Sequence, residues 1–357
     1  MNILLGKTLS ELQTIVKDLG LPAFVAKQLA QWLYVQRVTS FDQMTNLSKS
    51  IRALLSEQYI IGRHAPVTSI QSTDGTIKYL FEIPTPLLPY TSTPQYIESV
   101  FIPEDDRATL CVSTQVGCKM GCRFCMTGTL GFHGHLPASE ILTQIFEIDS
   151  LHSTLYTLHS PNSLTNLVYM GEGEPMDNLD AVLRSLEIMT AEYGSAWSPK
   201  RITVSSVGLI PELEQFLTKT QCHLAISLHN PFHEERLSIM PIEQRYQLED
   251  VVAMLRQYDF AHQRRLSFEY ICWAGVNDTP RHAKQLVRLL GSLPCRVNLI
   301  RFHEGVNQPL PASNEQQMVW LRDYLTHHGI TTTIRRSRGE DILAACGMLV
   351  NSLTNKQ

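Results

Sequence analysis

Residues 111–132 read CVSTQVGCKMGCRFCMTGTLGF and contain a cluster of three cysteines. Cys118, Cys122 and Cys125 have the spacing C-x3-C-x2-C, with Phe124 directly before the third. A structural zinc site uses four protein ligands, and a fully ligated four-iron cluster uses four thiolates. Three cysteines without a fourth at a matching distance would leave one iron of such a cluster open to a small chelating ligand. The alternative is a zinc site that borrows a distant histidine or cysteine.

The composition of the 357-residue chain, 43% hydrophobic and 18% charged, is that of a globular protein with a substantial core. The length suits one large domain with a smaller one. No stretch approaches the roughly 18 apolar residues that span a bilayer, so we expect a cytoplasmic protein without membrane contact. Eight cysteines in such a chain favour metal or redox chemistry over a disulfide framework. A net charge of −4 gives no global support to nucleic-acid binding, which must come from local basic patches.

Residues 1–65 have the apolar spacing of helices, and Thr8 and Glu11 form a capping box at the first helix start. We predict a small helical N-terminal accessory domain, which serves packing alone or contacts a substrate. Residues 66–107 change to strand patterns around a turn signal at Asp74-Gly75. This second segment is therefore predicted to be a β-hairpin extension.

Strand and helix patterns alternate from residue 108 to residue 335. Six strand–helix units predict an α/β fold with a parallel sheet and outer helices, and six instead of eight favour an open, partial (βα)6 barrel similar to a TIM barrel. A C-terminal tail, 336–357, follows. In such sheets ligands bind at the carboxyl ends of the strands. The predicted strands are 108–114, 167–170, 201–206, 223–227, 266–271, 296–300 and 330–335, and the predicted helices are 137–149, 178–192, 210–218, 246–258, 279–290 and 314–327.

Small and polar residues follow three of these strands, where a bound ligand would lie. Glycine lets the backbone approach a ligand closely, a carboxylate can receive an ammonium group, and hydroxyls can bind a ribose or a carboxylate. Tight turns and strand-end capping are the alternatives. The residues are Gly173 and Glu174 after the second strand, Ser205 at the end of the third, and Ser227, Leu228 and His229 at the end of the fourth.

Two cysteines outside the triad are singled out by their positions. Cys111 lies seven residues before Cys118, and Cys346 lies beside glycine in the tail. They are interpreted either as a reactive pair or as small buried apolar residues. Basic residues also form local runs that are typical of a solvated surface, and those near the cysteine cluster and the tail are alternatively interpreted as a phosphate-binding rim. The runs are Lys119 with Arg123, Lys200-Arg201, Arg264-Arg265, and Arg335-Arg336 with Arg338.

Taken together, these residues resemble the RlmN/Cfr family of radical S-adenosylmethionine (SAM) RNA adenine methyltransferases. The cysteine spacing with its preceding aromatic resembles the signature of the whole superfamily. Longer motifs carry the narrower resemblance, and the GEP after the second strand is similar to the RlmN branch, whereas the Cfr branch tends to have GEA. They are IESVFIPEDDRATLCVSTQVGCKMGCRFC (97–125), GEGEPMDN (171–178), ISLH (226–229), GVND (275–278), NLIRF (298–302) and RGEDILAACG (338–347).

The resemblance implies a radical SAM barrel and its cofactors. Cys118, Cys122 and Cys125 would hold a [4Fe–4S] cluster, and SAM would chelate the open iron. The family commonly has an asparagine that contacts SAM where this chain has His303, a residue whose charge depends on pH. The positions that match the SAM contacts of the family are Gly173, Glu174, Ser205, Ser227, Leu228, His229 and His303.

The resemblance also implies a reaction that uses two SAM molecules per turnover. One SAM would methylate Cys346, and a second would be cleaved to a 5′-deoxyadenosyl radical that takes a hydrogen atom from that methyl group. The methylene radical would add to an adenine carbon and crosslink the protein to RNA. Cys111 would resolve the crosslink and form a disulfide with Cys346, and Glu98 matches the proton acceptor of the family.

The implied substrates are an adenine of 23S ribosomal RNA, methylated at C2, and adenine 37 of tRNA. The target base must be unstacked, so the N-terminal domain and the basic rim are expected to hold RNA. The other implied partner is an electron donor such as flavodoxin or ferredoxin, and we expect a monomer. Two alternatives remain open: Cfr-type C8 methylation, which confers antibiotic resistance, and a zinc-stabilised RNA-binding protein without catalysis.

Overall fold

The computed structural model describes residues 2–84, 94–153, 164–262, 264–303 and 310–349. Residues 85–93 of the predicted hairpin extension and 350–357 of the predicted tail therefore lie outside the described residues. Residues 154–163, 263 and 304–309 of the predicted barrel lie outside them as well. Within the described ranges, no helix is both long enough and apolar enough to cross a membrane.

The N-terminal residues form helices, as the sequence predicts. The Thr8 hydroxyl accepts the Glu11 N–H at 3.4 Å, and the Glu11 carboxylate accepts the Thr8 N–H at 2.9 Å, so the predicted capping box is present. Apolar residues at helical spacing, such as Leu12 and Leu29, are buried between the helices. The elements are β1 (Asn2–Ile3), α1 (Leu9–Asp18), α2 (Phe24–Ala30, continued by a π-helical turn at Gln31–Val35), α3 (Lys49–Gln58) and β2 (Tyr59–Ile60).

An antiparallel extension follows and joins the main sheet. The turn at Asp74-Gly75 connects the first two strands, and Gly75 has a φ of +86°, which glycine adopts without strain. The next strand pairs with both neighbours in the antiparallel sense. The strands are β3 (Thr68–Gln71), β4 (Ile77–Ile83), β5 (Gln95–Pro103) and β6 (Ala108–Cys111).

The cysteine loop is enclosed by a short hairpin that the sequence analysis did not predict. The first barrel strand ends at Cys111 and not at residue 114, because Thr114 N–H leaves the sheet register and donates to the Glu172 carbonyl at 2.9 Å. The chain then forms β7 (Gln115–Gly117), the four-residue helix α4 (Met126–Thr129) and β8 (Phe132–His135), with β7 and β8 antiparallel.

All six predicted strand–helix units are present, and the strands lie side by side in chain order. This order is that of an opened barrel, since each parallel strand pairs with the next one along the chain. Among the described residues, the ten-stranded sheet has β14 at one edge and β3 at the other. The elements are α5 (Ala138–Ser153), β9 (Asn166–Tyr169), α6 (Leu179–Thr190), β10 (Ile202–Ser206), α7 (Ile210–Lys219), β11 (His223–Ser227), α8 (His233–Ile239), α9 (Leu248–Leu255), β12 (Leu266–Cys272), α10 (Pro280–Leu290), β13 (Arg296–Arg301), α11 (Glu315–His327) and β14 (Thr331–Ile334).

The core lies between this sheet and its helices. Central strands are buried along their whole length, as β12 is, which explains their near-continuous apolar sequence. The helices bury one stripe each; α10, for example, buries Ala283, Leu286 and Leu290. Because the strands are parallel and in register, their carboxyl ends meet at one edge, and this edge positions the candidate site.

Candidate active site

The three cysteines of the triad lie on one loop between β7 and α4. The Cys118 N–H donates to the Gly131 carbonyl at 2.9 Å, and the Cys125 N–H donates to the Cys122 carbonyl at 3.2 Å, so backbone bonds shape the loop. Gly117 has a φ of +68°, and a side chain there would collide with the Gly131 carbonyl, which requires glycine. All three cysteines are free thiols.

The surroundings of these thiols disfavour negative charge unless a cation is present. Burial, together with the charges of Glu174 and Cys125, raises the pKa of Cys118 to about 12. Burial also raises the pKa values of Cys122 and Cys125, whereas the Arg236 charge lowers that of Cys122. A bound metal cation favours the thiolate form.

The donor set fits a cluster held by three thiolates better than a structural zinc site. No group of three His, Cys, Asp or Glu side chains in the described part of the chain has a ready-made metal-binding arrangement. That finding includes the three cysteines of the loop, which offer three sulfur ligands, whereas a tetrahedral structural zinc site needs four. Cys118, Cys122 and Cys125 could hold a four-iron cluster that has one open iron.

Phe124 anchors the loop to the carboxyl edge of the sheet. Its ring lies 4.7 Å from the His229 ring and 5.4 Å from the Trp273 ring, centroid to centroid. Edge-to-face packing of this kind adds about 0.5–1.5 kcal/mol beyond the buried area. The aromatic residue before the third cysteine thus fixes the loop against the end of β11.

The segment after β9 approaches the cysteine loop closely. Gly173 has a φ of +94°, and a Cβ there would lie 2.5 Å from the Gln115 Cβ. The Glu174 carboxylate accepts the N–H groups of Met176 at 3.1 Å and Val207 at 3.0 Å, and burial raises its pKa to about 7. Glu174, expected to receive an ammonium group, therefore also ties the GEGEP segment to the end of β10.

The remaining polar residues of this edge follow β10 and β11. The Ser205 hydroxyl donates to the Tyr169 carbonyl at 2.7 Å, and the Leu228 N–H donates to the Glu269 carbonyl at 3.0 Å. His229 has a φ of +56°, and its Nδ1 accepts the Ile271 N–H at 3.1 Å. Burial lowers its pKa to about 3, so the ring is neutral with its hydrogen on Nε2. Ser227, Leu228 and His229 lie together at the edge where ligands bind in such sheets.

A buried ion pair that the sequence analysis missed supports this edge. Arg236 on α8 is fully buried and forms an ion pair with Glu243. Its guanidinium also donates to the carbonyls of Val207 at 3.0 Å, Ser227 at 2.9 Å and Leu228 at 3.0 Å. The sequence around this arginine, His233-Glu234-Glu235-Arg236, is too short and too polar to predict a helix with a buried arginine.

The C-terminal tail folds back over the cysteine loop. The Met126 N–H donates to the Gly347 carbonyl at 2.8 Å, and the Thr127 hydroxyl donates to the Leu349 carbonyl at 3.1 Å. Ala344 and Leu349 pack in one apolar cluster with Cys111. The tail is therefore held at the mouth of the site. Thr127 and Leu349, which form the hydroxyl contact, are 222 residues apart in the chain.

This tail places Cys346 in electrostatic contact with Cys111. Burial, together with the charge of Cys346, raises the pKa of Cys111 to about 12. Cys346 is exposed and Cys111 is buried, and both are free thiols in this structure. The Cys346 charge also raises the pKa of Arg335, whose Nη1 lies 3.3 Å from the Glu269 carboxylate. Ala344 and Leu349, on either side of Cys346, pack in the cluster that contains Cys111, so the tail holds Cys346 near Cys111 and Arg335.

Glu98 lies in a buried polar cluster on the neighbouring strands. Lys78 Nζ lies 3.0 Å from the Glu98 Oε1, and both side chains are buried. The Glu98 N–H donates to Glu172 Oε1 at 2.9 Å. Burial raises the pKa of Glu172 to about 8, and the Glu98 charge adds to this. Lys78 and Glu172 were not predicted, because a lysine in a strand pattern gives no sign that it is buried.

His303 faces the tail. Its Nε2 bonds the Ser337 hydroxyl and lies 3.5 Å from the Glu340 carboxylate. The structure therefore connects His303 with the segment that leads to Cys346, and residues 304–309 beyond it lie outside the described ranges. A SAM contact by His303 stays a prediction.

Comparisons with known proteins agree with this arrangement. Residues 1–61 match the ribosomal RNA large subunit methyltransferase N-terminal domain, and residues 112–290 match the radical SAM superfamily. The chain is 54% identical to the probable dual-specificity RNA methyltransferase RlmN of Bacteroides fragilis, covering 97% of this chain and 95% of that one. It is 39% identical to the dual-specificity RNA methyltransferase RlmN of Syntrophobacter fumaroxidans, with 96% of each chain covered.

A solved structure extends the likeness to three dimensions. The crystal structure of a radical SAM methyltransferase from Sphaerobacter thermophilus superposes with a TM-score of 0.86 at 37% identity, covering 98% of this chain and 99% of the other. The expected radical SAM fold and methyltransferase class are confirmed by these matches. By its sequence relatives, its fold and its two matching domain families, this chain belongs to the RlmN family of radical SAM methyltransferases.

Proposed function

We propose that this protein methylates C2 of an adenine in 23S ribosomal RNA and adenine 37 of tRNA, with Cys346 as the methyl carrier. The observation that carries the proposal is the folded-back tail, whose residues Ala344 and Leu349, on either side of Cys346, pack with Cys111 beside the cysteine loop. The names of the relatives support an RNA substrate and dual specificity. The C2 position and the two substrates are inferred from the family.

Residues at the carboxyl edge would hold the cofactors. Cys118, Cys122 and Cys125 would bind a [4Fe–4S] cluster, and the segment at Gly173 and the end of β11 would bind SAM. When bound, these groups would supply a methyl donor and a 5′-deoxyadenosyl radical. Two SAM molecules per turnover, one for each of these roles, are part of the proposal.

The chain's own residues would perform the steps at sulfur and carbon. The exposed Cys346 sulfur would take the methyl group. The carbon of that group would later link the Cys346 sulfur to the adenine. The Cys111 thiolate would attack the Cys346 sulfur, so that an S–S bond forms and the S–C bond breaks with its electron pair on the carbon, which takes up a proton to become the methyl group of the product. A disulfide between the two would result, and a thiol reductant would restore the pair.

Glu98 would accept the proton that leaves the adenine carbon. Its carboxylate is ion-paired with Lys78 at 3.0 Å, which favours the charged form that can take a proton. Its strand neighbour Val100 pairs with Cys111, so the acceptor and the resolving thiol lie on adjacent strands. Geometry thus supports a role for Glu98 close to the cysteine pair.

The rest of the chain would supply the RNA contacts and the electron. The four segments 1–65, 66–107, 108–335 and 336–357 are proposed as an RNA-binding accessory domain, a hairpin extension, the catalytic barrel and the carrier tail. A low-potential donor in the cytoplasm, such as flavodoxin or ferredoxin, would reduce the cluster, and the protein would act as a monomer.

Nucleoside mass spectrometry tests the product. RNA from a strain lacking this protein should lose 2-methyladenosine, and complementation with the intact chain, but not with Cys346→Ala, should restore it. Loss of 8-methyladenosine instead would assign the C8 reaction. Anaerobic purification tests the cluster: a colourless protein with zinc and without iron or sulfide would refute the radical mechanism.

A further inference from the structure

A cavity of about 530 Å³ opens at the edge of the sheet opposite the candidate active site. It is lined by the first residues of four consecutive strands: His223, Leu266, Arg296 and Thr331. The candidate cofactor residues follow the other ends of these strands. At about 3.3 Å per residue, the five residues of β11 separate the two edges by roughly 16 Å.

The charge of this cavity has one sign. Lys200, Arg264, Arg265 and Arg296 line it, and no aspartate or glutamate does. In the described part of the chain, none of these four cations forms a salt bridge with a carboxylate. One carboxylate lies at the rim, where Asp259 bonds the exposed His262 at 2.7 Å. Four unneutralised cations meet here in a chain whose net charge is −4.

The basic runs near the cysteine loop differ in this respect. Lys119 lies 2.7 Å from Asp177, and Arg335 lies 3.3 Å from Glu269. Arg338 lies 4.0 Å from Asp74 and 3.9 Å from Glu104. Three of the cations expected to form a phosphate-binding rim are thus neutralised by carboxylates. Of the basic runs away from the cysteine loop, Lys200 and Arg265 form no salt bridge in the described ranges, whereas Arg264 is buried and donates to the Leu217 carbonyl at 2.9 Å and to the Thr220 carbonyl.

His223 lines the cavity, and its pKa responds to the same four cations. Burial, together with the charges of Arg265, Lys200, Arg264 and Arg296, lowers its pKa to about 4. Its Nδ1 accepts the Arg265 N–H at 2.9 Å, so the neutral ring keeps its hydrogen on Nε2 as a donor. Burial and the Arg296 charge also lower the pKa of Arg265. An anion bound here would remove repulsion that the protein otherwise carries.

We propose that this cavity is a phosphate-binding site, separate from the catalytic edge. Arginine guanidinium groups match the geometry of phosphate oxygens, and three of the four cations are arginines. The volume lies within the roughly 300–1,000 Å³ of small-ligand sites, so a phosphate with an attached group can enter. The phosphate belongs to a phosphorylated small molecule or to an RNA backbone. The inference does not depend on the proposed methyl transfer.

Calorimetric titration of the full-length, cluster-loaded protein with inorganic pyrophosphate tests the proposal. The variant Arg265→Ala/Arg296→Ala changes two exposed side chains, so the fold is retained. It should bind pyrophosphate at least about tenfold more weakly, because two charge-assisted contacts are lost. The control Lys284→Ala/Arg288→Ala removes the same charge from the exposed face of α10 and should bind as the unchanged protein does.

Three results would overturn the proposal: no saturable binding by the unchanged protein, equal affinity of the two double variants, or equal displacement of pyrophosphate by citrate. Citrate has a similar charge on carboxylates, so it distinguishes a phosphate site from general anion attraction. Competition by oligouridylate, which lacks adenine, would identify an RNA backbone as the source of the phosphate. If the protein binds pyrophosphate and oligouridylate does not compete, the phosphate belongs to a phosphorylated small molecule. Either source supports the site.

Discussion

Replacement of Arg236 by methionine should destabilise the barrel strongly and loosen the carboxyl edge. The change keeps most of the side-chain volume and removes the charge that pairs with Glu243. Glu243, also buried, would then keep its charge with only His233 at 3.0 Å and the Leu248 N–H as neighbours, and three carbonyls would lose a donor. Breaking one partner of a buried ion pair costs about 3–5 kcal/mol, because the remaining charge is uncompensated. We expect the free energy of unfolding to fall by about that amount.

Urea denaturation of three variants measures this effect. The double variant Arg236→Met/Glu243→Gln should recover part of the loss, since no lone charge remains and the amide oxygen can still accept the Leu248 N–H. The matched control is Arg281→Met, which breaks the surface pair with Glu235 and should cost about 1 kcal/mol or less. Equal losses for Arg236→Met and Arg281→Met, or a double variant weaker than the single one, would refute the reasoning.

Three further predictions follow from the same contacts. Cys111→Ala should accumulate a covalent protein–RNA adduct on denaturing gels, and Cys111→Ala/Cys346→Ala should not; an adduct in the double variant would exclude Cys346 as carrier. Thr8→Ala should cost about 1 kcal/mol of unfolding free energy through the lost capping box, whereas Thr14→Ala on the exposed face of α1 should cost almost nothing. The raised pKa of Glu172 means that the folded state holds a proton that the unfolded state releases, so stability should fall as pH rises from about 4.5 toward 8, by up to about 1.4 kcal/mol per pH unit. Glu172→Gln should reduce that slope, most clearly above pH 7, because Glu174, with its pKa raised to about 7, contributes to the slope at lower pH. An unchanged slope would contradict the protonated state of Glu172.

The sequence predicted the barrel well because its strands are buried. Continuous apolar runs such as those of β11 and β12 mark central parallel strands, and each predicted helix between them is present. The capping box and the hairpin turn are local signals, and both are found where predicted. Local chemistry of this kind is encoded within a few neighbouring residues.

Features that depend on distant contacts could not be predicted from local patterns. The first barrel strand stops at Cys111 because the chain after it bonds to a distant segment. Thr114 contacts Glu172, which lies 58 residues further along the chain. Nothing in the residues around Lys78 or Arg236 indicates burial, since each is compensated by a carboxylate from another element. A pairing of Cys111 with Cys346 was expected only from the family resemblance and stays a prediction; the packing of Ala344 and Leu349 against β5 and β6 supports it.

The methylation state of Cys346 tests the central claim most directly. Peptide mass spectrometry of the protein purified from cells that supply cluster and SAM should find one methyl group on Cys346 and none on Cys111. In the variant Cys118→Ala, which lacks one proposed cluster ligand, Cys346 should be unmodified. A methyl group on Cys111, or an unmodified Cys346 in active protein, would contradict the account.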